Sequence, residues 1–518
     1  MTEFEFDSVL STLNDLQREA TQFHHKQLLQ IKAPPGSGKT RIVISRLMYL
    51  VLACNIPSNK IVVTTFGKKA ANEIKERIID LVPTDKRYLF MDLNVGTFHS
   101  LCLKLLMKHG YRLGYHNPTI ITESEQKLIL QNAIAALPDH LYDYYINHEN
   151  IVQVAKWDKS DKKSSNNNNK HVLDFDISSI LKYISKLKSQ GLVAEKYKQT
   201  SGRNLDQGIL YFYEAYERDA LEMQKVDFDD LLLHGYRLLK NHEETLPSYD
   251  HILVDEFQDT SALQLQIVLL WAKRAHSGIT VVGDPDQCIY AFRDASPSNF
   301  KDMRHLCDNP VTVIPLNQNY RSSQKIIDCC QHIIKSDFND LSNTNESTDD
   351  SNINEMFESA LCGQFDTDFG PVYREFASFD QEAMHISNEI KYLTSLPGDV
   401  MKFSEIAVLV RTNRQITTIE KHLITNYIPY RIIGSKGFLN YPEIVLFMNC
   451  LRLVVNFKNR EKSLFSNKKT WILEILNEIE NNGIGEVSLL NIHKYFASKK
   501  SSDPIDLLLE VSEHEKII

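Results

Sequence analysis

No apolar stretch in the 518 residues approaches the about 20 residues needed to cross a bilayer, and no membrane span is expected. The chain opens on Met1, Thr2, Glu3, Phe4, Glu5, Phe6 and Asp7, acidic where signal and transit peptides are basic, which argues against secretion. Cysteine pairs at the two-residue spacing of zinc and redox sites are missing. Cys54, Cys102, Cys288, Cys307, Cys329, Cys330, Cys362 and Cys450 are scattered, and they read as reduced, mostly buried thiols. Positive charge is short as well. A net charge of −9 is the wrong sign for a protein that coats nucleic acid with its whole surface, so any such contact is confined to a local groove. What is present is ordinary for a globular chain: 42% hydrophobic and 24% charged residues, with length for three or four domains.

Hydrophobic periodicity gives the organisation. Leu28-Leu29-Gln30-Ile31 reads as a strand, the Gly/Pro-rich residues after it as a loop, and Arg41 to Ala53 as a helix. Ile61 to Thr65 is a second strand before a helix from Lys69 to about Leu81, and His251 to Val254 and Ile279 to Val282 are further strands. Strands alternating with helices predict an α/β fold with a parallel sheet covered on both faces. From about 100 to 225 the pattern is helical, interrupted by the polar run Lys159 to Lys170, which reads as a flexible loop in a helical insertion. Asn339 to Glu355 reads as a solvated linker or loop. Ile406 to Val410 and Tyr430 to Ile433 are expected strands of a second α/β unit, with helix from about 441 onward.

Two motifs carry chemistry. Ala33-Pro34-Pro35-Gly36-Ser37-Gly38-Lys39-Thr40 follows a strand and opens a helix, the setting of a P-loop, with alanine at the first motif position. Backbone N–H groups of the turn and the helix N-terminus suit the β-phosphate of ATP, Lys39 the β/γ oxygens, and the Thr40 hydroxyl Mg²⁺. Alone, the run also fits a glycine turn with a helix cap. Val254-Asp255-Glu256-Phe257-Gln258-Asp259-Thr260 places two carboxylates at the C-terminal end of an apolar strand, where open α/β sheets bind ligands. Asp255 is suited to hold Mg²⁺, directly or through water, and Glu256 to orient and deprotonate an attacking water. Alone, this pair also fits acidic caps on a following helix.

The runs PPGSGKT, TTFGKKAANE, GTFHS, VDFDDLL, VDEFQDT, VVGDPDQCIYAFR and LNQNYRSS, in that order, resemble the UvrD/Rep/PcrA-type superfamily 1 DNA helicases. GDPDQCIYAFR, NYRSSQKI and FDTDFGPVY look like the fungal anti-recombinogenic branch, which strips recombinase filaments from single-stranded DNA. The resemblance implies RecA-like P-loop motor domains carrying helical insertion subdomains. Residues 1–100 and 221–312 would form the first motor domain, 101–220 its insertion, 313–440 part of a second motor domain, and 441–518 the start of a second insertion. It further implies an ATP-dependent, 3′ to 5′ helicase or translocase in repair and recombination. Its expected partners are single-stranded DNA, duplex junctions and recombinase filaments, in the nucleus or, as the alternative, the mitochondrion.

Carried over residue by residue, Gln17 matches the adenine-reading glutamine, Arg41 and Tyr320 flank the nucleotide with Tyr320 stacking, Gln287 senses the γ-phosphate, and Arg321 is an arginine finger. Thr65, Phe66, Thr97, His99, Tyr290, Phe292 and Arg293 match the lining of the single-strand groove, where aromatic faces stack bases without reading sequence. Two departures stand out. Gly67-Lys68 precede Lys69 where the family has Thr-Asn, and no counterpart of the late His-Ser-Ala-Lys-Gly-Leu-like run, or of the late motif carrying a second arginine, is found. The sequence therefore also admits a truncated module that binds ATP and DNA with severely weakened hydrolysis.

Overall fold

A computed structural model describes residues 9–138, 140–141, 152–154, 173–202, 206–274, 277–291, 294–341, 361–398, 400–433 and 442–456, together with Lys468, Trp471, Ile472, Ile475, Ile492 and Asp506. Contacts divide the chain into two units, Met1–Val372 and Tyr373–Ile518.

The first unit is built on short runs of β-branched and aliphatic residues with no polar face to give to water. Such runs fit a parallel sheet covered on both sides. β1 (Leu28–Lys32), β2 (Ile61–Thr65), β3 (Asn94–Thr97), β4 (His251–Val254), β5 (Gly278–Gly283) and β6 (Val311–Pro315) form one six-stranded sheet in the order β6-β1-β5-β4-β2-β3, parallel throughout. Residue 312, the expected domain boundary, falls inside β6, because Val311 to Pro315 pair with Leu28 to Lys32.

The helices of this unit are α1 (Asp15–Gln22), α2 (Lys39–Met48), α3 (Lys68–Leu81), α4 (Phe98–His109), α5 (Glu123–Ala135), α6 (Ile177–Ser189), α7 (Ala194–Thr200), α8 (Gln207–Glu222), α9 (Phe228–Asn241), α10 (Ala262–Lys273), α11 (Asn299–Leu306) and α12 (Gln324–Leu341). Period-two alternation sorts the strand side chains between the faces. Leu29, Ile31, Val63, Leu253 and Val282 join Ile42 and Leu47 of α2 and Ile74 and Ile78 of α3 in one core. Leu28, Val62, Ile252, Val254 and Val281 join Phe98 of α4, Leu231 and Leu238 of α9 and Ile267 of α10 in the other. The helix expected from Arg41 to Ala53 is α-helical to Met48 and then widens into a π-turn, Tyr49–Ala53, closed by the Cys54 N–H on the Tyr49 carbonyl at 3.0 Å.

Helices α5, α6, α7 and α8 form the insertion, with a core of their own that includes Leu130, Ile180, Ile184, Phe212 and Tyr216. The chain enters and leaves it side by side, since Thr119–Ile120 pairs in parallel with Lys225–Val226. The polar run 159–170 and residues 342–355 of the run from Asn339 to Glu355 lie outside the described residues, while Asn339 to Leu341 belong to α12. The described cysteines are free, but only Cys102 is buried, its thiol pushed up to about 12 by burial, so the expectation of mostly buried thiols does not hold.

In the second unit α13 (Phe379–Thr394) and α14 (Asn413–Thr425) pack on a small core of Ile390, Leu423 and Ile428, and α15 (Pro442–Val455) follows. The strands expected at 406–410 and 430–433 are not formed. An apolar run becomes a strand only when a neighbour completes its hydrogen-bond ladder, and among the described residues no strand pairs with either segment. Leu409 is 94% exposed and Ile433 91%. The helix expected beyond residue 456 lies mostly outside the described residues.

Candidate functional site

The loop Ala33 to Gly38 leaves the C-terminal end of β1, and the loop Asp255 to Asp259 leaves the C-terminal end of β4. Strand β5 lies between them, and the Ala33 N–H donates to its Gly283 carbonyl at 2.9 Å. Gly36 (φ +72°) and Gly38 (φ +88°) hold left-handed backbone, which a side chain would resist. A Cβ on Gly36 would also lie 2.6 Å from Asn319 Oδ1. Ala33, Pro34 and Ser37 are buried while Pro35 is exposed, and the Ser37 hydroxyl closes the turn on the Pro34 carbonyl at 2.7 Å. Helix α2 begins at Lys39 with no side-chain cap, leaving its first N–H groups open, and Thr40 and Arg41 stand in its first turn, Arg41 exposed.

The two loops meet through charge. Lys39 Nζ lies 3.4 Å from Glu256 Oε2, yet it is buried without a hydrogen-bond partner. Glu256 sits at φ +51°, an unfavourable conformation for a residue with a side chain and one that clusters at functional sites. Burial, and then the neighbouring Glu256 charge, push the Asp255 carboxyl up to about 7. The same two causes, in that order, push Asp259 up to about 6, and its Oδ1 is buried without a partner. A buried ammonium that meets Glu256 at 3.4 Å but makes no hydrogen bond, beside Asp255 and Asp259 carboxyls held above their ordinary range, fits a polyphosphate with a divalent cation. Among the described residues no group of three or more His, Cys, Asp or Glu gathers as a cage.

Two further segments close on the loop. Asn319 Nδ2 donates to the Pro35 carbonyl at 2.6 Å, while its Oδ1 accepts from the N–H groups of Arg321 and Ser322 at 2.7 and 2.8 Å. The Tyr320 N–H donates to the Gly36 carbonyl at 2.8 Å, and its hydroxyl accepts from Asn14 Nδ2 at 2.8 Å. Tyr320 and Arg321 are thereby carried against the loop. Gln17 is buried: its Nε2 donates to the Ser37 carbonyl at 2.9 Å and its Oε1 accepts from the Asn14 N–H in the capping box of α1. One amide hydrogen remains for a base edge. Gln287 Nε2 is tied to Asp284 Oδ2 at 2.8 Å.

Gln258 joins this site to the next segment. Its Nε2 donates to Glu256 Oε2 at 2.8 Å, and its Oε1 accepts from the Asp284 N–H at 3.0 Å. From Asp284 the chain runs to Tyr290, whose ring stacks on Phe66 with centroids 4.4 Å apart. His99 meets Phe228 edge to face at 5.9 Å. The sequence reading assigned no role to Asn14, Asn319, Gln258 or Phe228, although Gln258 lies inside VDEFQDT, Asn319 inside LNQNYRSS and Phe228 inside VDFDDLL. Thr65 and Thr97 stand at the C-terminal ends of β2 and β3. Both are buried, with the Thr65 hydroxyl donating to the Gly67 carbonyl at 3.0 Å and the Thr97 hydroxyl capping α4, so they shape the turns that carry Phe66 and His99. Phe292 and Arg293 lie outside the described residues.

Comparison with known proteins agrees with this geometry. The UvrD/REP helicase N-terminal domain matches residues 13–308, and the UvrD-like helicase C-terminal domain matches residues 314–518. The chain is 37% identical over 462 residues to the ATP-dependent DNA helicase SRS2 of Saccharomyces cerevisiae, covering 88% of this chain and 37% of that protein. It is 30% identical over 459 residues to the ATP-dependent DNA helicase srs2 of Schizosaccharomyces pombe, covering 87% and 47%. The ATP-dependent DNA helicase PcrA of Bacillus subtilis is 29% identical over 495 residues, covering 95% and 58%. The chain thus spans between 37% and 58% of the length of these relatives. With a P-loop, an acidic strand end and a linked aromatic pair on one parallel sheet, and with both domain profiles matched, the chain belongs to the UvrD/REP helicase family.

Proposed function

We propose that the chain is an ATP-dependent DNA helicase or translocase that moves 3′ to 5′ on single-stranded DNA, working in repair and recombination control. The observation that carries the reading is the unbroken link from Lys39 through Glu256, Gln258 and Asp284 to the segment bearing Tyr290. A change at the nucleotide is thereby transmitted to the stacked rings of Tyr290 and Phe66.

Each residue has a part in that reading. The loop from Ala33 to Gly38 and the α2 N-terminus cradle the phosphates, Lys39 draws the β/γ oxygens away from Glu256, and Gln17, Arg41 and Tyr320 hold the base and sugar. Thr40 and Asp255 would hold Mg²⁺, which would offset charge on the phosphates. Glu256 takes a proton from the attacking water, and Arg321 meets charge developing on the γ-phosphoryl. Gln287 reports the state of the nucleotide through Asp284. Phe66, Tyr290, His99 and Phe228 form the base-stacking track, with Phe292 and Arg293 assigned to it by motif. Duplex junctions and recombinase filaments are the proposed partners, and the nucleus the proposed compartment. These assignments rest on the likeness to the SRS2 helicases.

The test is ATP hydrolysis by the purified chain with and without single-stranded DNA, with Lys39→Ala as the blank. DNA-stimulated turnover above the blank supports the reading. Turnover equal to the blank, with ATP and DNA still bound, refutes it in favour of a non-catalytic binding module.

Asp255 adds a pH dependence. Its carboxyl titrates near 7, so below that value a cation must displace a proton to bind. Mg²⁺-dependent nucleotide affinity is expected to rise by up to about tenfold per pH unit below neutrality and to level off above it. Asp255→Asn flattens the profile. In the cation-free protein the sign is opposite for the fold: the raised carboxyl costs stability progressively as pH climbs from the ordinary carboxylate range to about 7. Titrating a fluorescent ATP analogue with and without Mg²⁺ across this range checks the affinity, and urea unfolding of the cation-free protein across the same range checks the stability.

A further inference from the structure

Among the described residues, a buried charged cluster outside the nucleotide site lies where the insertion meets the start of α9. Lys188 of α6 is fully buried, with Nζ 2.6 Å from Asp227 Oδ2 and 2.6 Å from Asp230 Oδ1. The ammonium lies 4.4 Å from the centre of the Tyr216 ring, and the Tyr216 hydroxyl donates to Asp227 Oδ2 at 2.9 Å. These two carboxylates are also the capping box of α9: Asp227 Oδ1 accepts from the Asp230 N–H at 2.7 Å, and Asp230 Oδ2 accepts from the Asp227 N–H at 3.0 Å. One turn back on α6, the Ser185 hydroxyl donates to Asp229 Oδ2 at 2.6 Å. The insertion therefore grips Asp227, Asp229 and Asp230 in the first turn of α9. The residue left out of the grip is Phe228, 61% exposed and set edge-on against His99.

Stability alone does not account for the arrangement, because a buried ion cluster is often no more stable than well-packed apolar side chains of the same volume. Direction does. An ammonium shared by two carboxylates that also cap the helix leaves the first turn of α9 one orientation, and Phe228 sits at its first position. We propose that Lys188 is a positioning residue for single-strand binding, holding α9 from the insertion so that Phe228 presents its ring beside His99. The proposal rests on the reading that the aromatic residues at Phe66, His99 and Tyr290 line the DNA strand.

The test is a double-mutant cycle read by the anisotropy of a fluorescein-labelled oligothymidine. Lys188→Met is expected to weaken oligothymidine binding about 5- to 20-fold, the scale of one lost base stack. In a Phe228→Ala background the same change is expected to cost about twofold or less, because the ring that Lys188 directs is already gone. ATP-analogue binding checks that each variant is folded. If Lys188→Met does not fold, Lys188→Met with Asp227→Asn and Asp230→Asn removes the stranded carboxylates and carries the same cycle. Unchanged binding by the lysine variant, or a loss equal in size with and without Phe228, overturns the proposal. Phe66→Ala separates it from the reading beneath it: weakened binding by Phe66→Ala without Lys188–Phe228 coupling sinks only the positioning role, and coupling without any Phe66 effect sinks only the assignment of the track.

Discussion

Arg321→Ala is expected to lower single-turnover ATP hydrolysis by about 10³- to 10⁵-fold, the usual loss when an arginine finger is removed from a phosphoryl-transfer site. The size follows from how firmly the arginine is delivered. Its N–H is held by Asn319 Oδ1, the same asparagine binds the Pro35 carbonyl, and the Tyr320 N–H binds the Gly36 carbonyl. The guanidinium thus leaves a backbone fixed to the phosphate loop at two points. It is not itself part of that loop, so nucleotide affinity is expected to change by about tenfold or less while the chemical step collapses. Arg321→Lys is expected to recover little, since an ammonium cannot reproduce the planar fork of a guanidinium on phosphoryl oxygens. Measuring ATP-analogue affinity alongside single-turnover hydrolysis with saturating single-stranded DNA separates the two effects. Hydrolysis within about tenfold of the unmodified chain would remove Arg321 from the transition state.

The parts of the site legible in the sequence are those set by local backbone geometry. A glycine-rich turn between strand and helix, and an acid pair at a strand end, place their groups wherever the sheet puts them, so Lys39, Asp255 and Glu256 were readable from a few neighbouring residues. The braces were not. Asn319 reaches Pro35 across 284 positions and Asn14 reaches Tyr320 across 306, and both look like ordinary turn or cap residues in one dimension. Lys188 was equally hidden, because a lysine on an amphipathic helix normally faces water, and only the fold shows two carboxylates waiting for it. The misreadings have physical causes as well. Residues 406–410 have the composition of a strand, but strand formation belongs to a pair of segments rather than to one.

Glu256→Gln is expected to cut turnover by about 10²- to 10⁴-fold, the range contributed by a positioned general base, while leaving the bound state intact. The substitution is close to silent for the fold. Glutamine meets the same left-handed backbone at φ +51°, and its carbonyl oxygen still accepts from Gln258 Nε2, so the link to Asp284 survives. What is lost is the negative charge. Without it Lys39 is freed from its 3.4 Å pairing, and the repulsion that helps hold Asp255 near 7 and Asp259 near 6 is relieved. Both changes favour phosphate and cation, so ATP affinity is expected to hold or rise as hydrolysis falls. The variant should therefore accumulate the ATP-bound chain on single-stranded DNA, seen as a longer-lived complex on a labelled oligothymidine with ATP than the unmodified chain forms. A variant that hydrolyses normally would place the base elsewhere, with Asp259 the next carboxyl to test. A variant that fails to bind ATP would mean that Glu256 shapes the phosphate loop instead of acting on water.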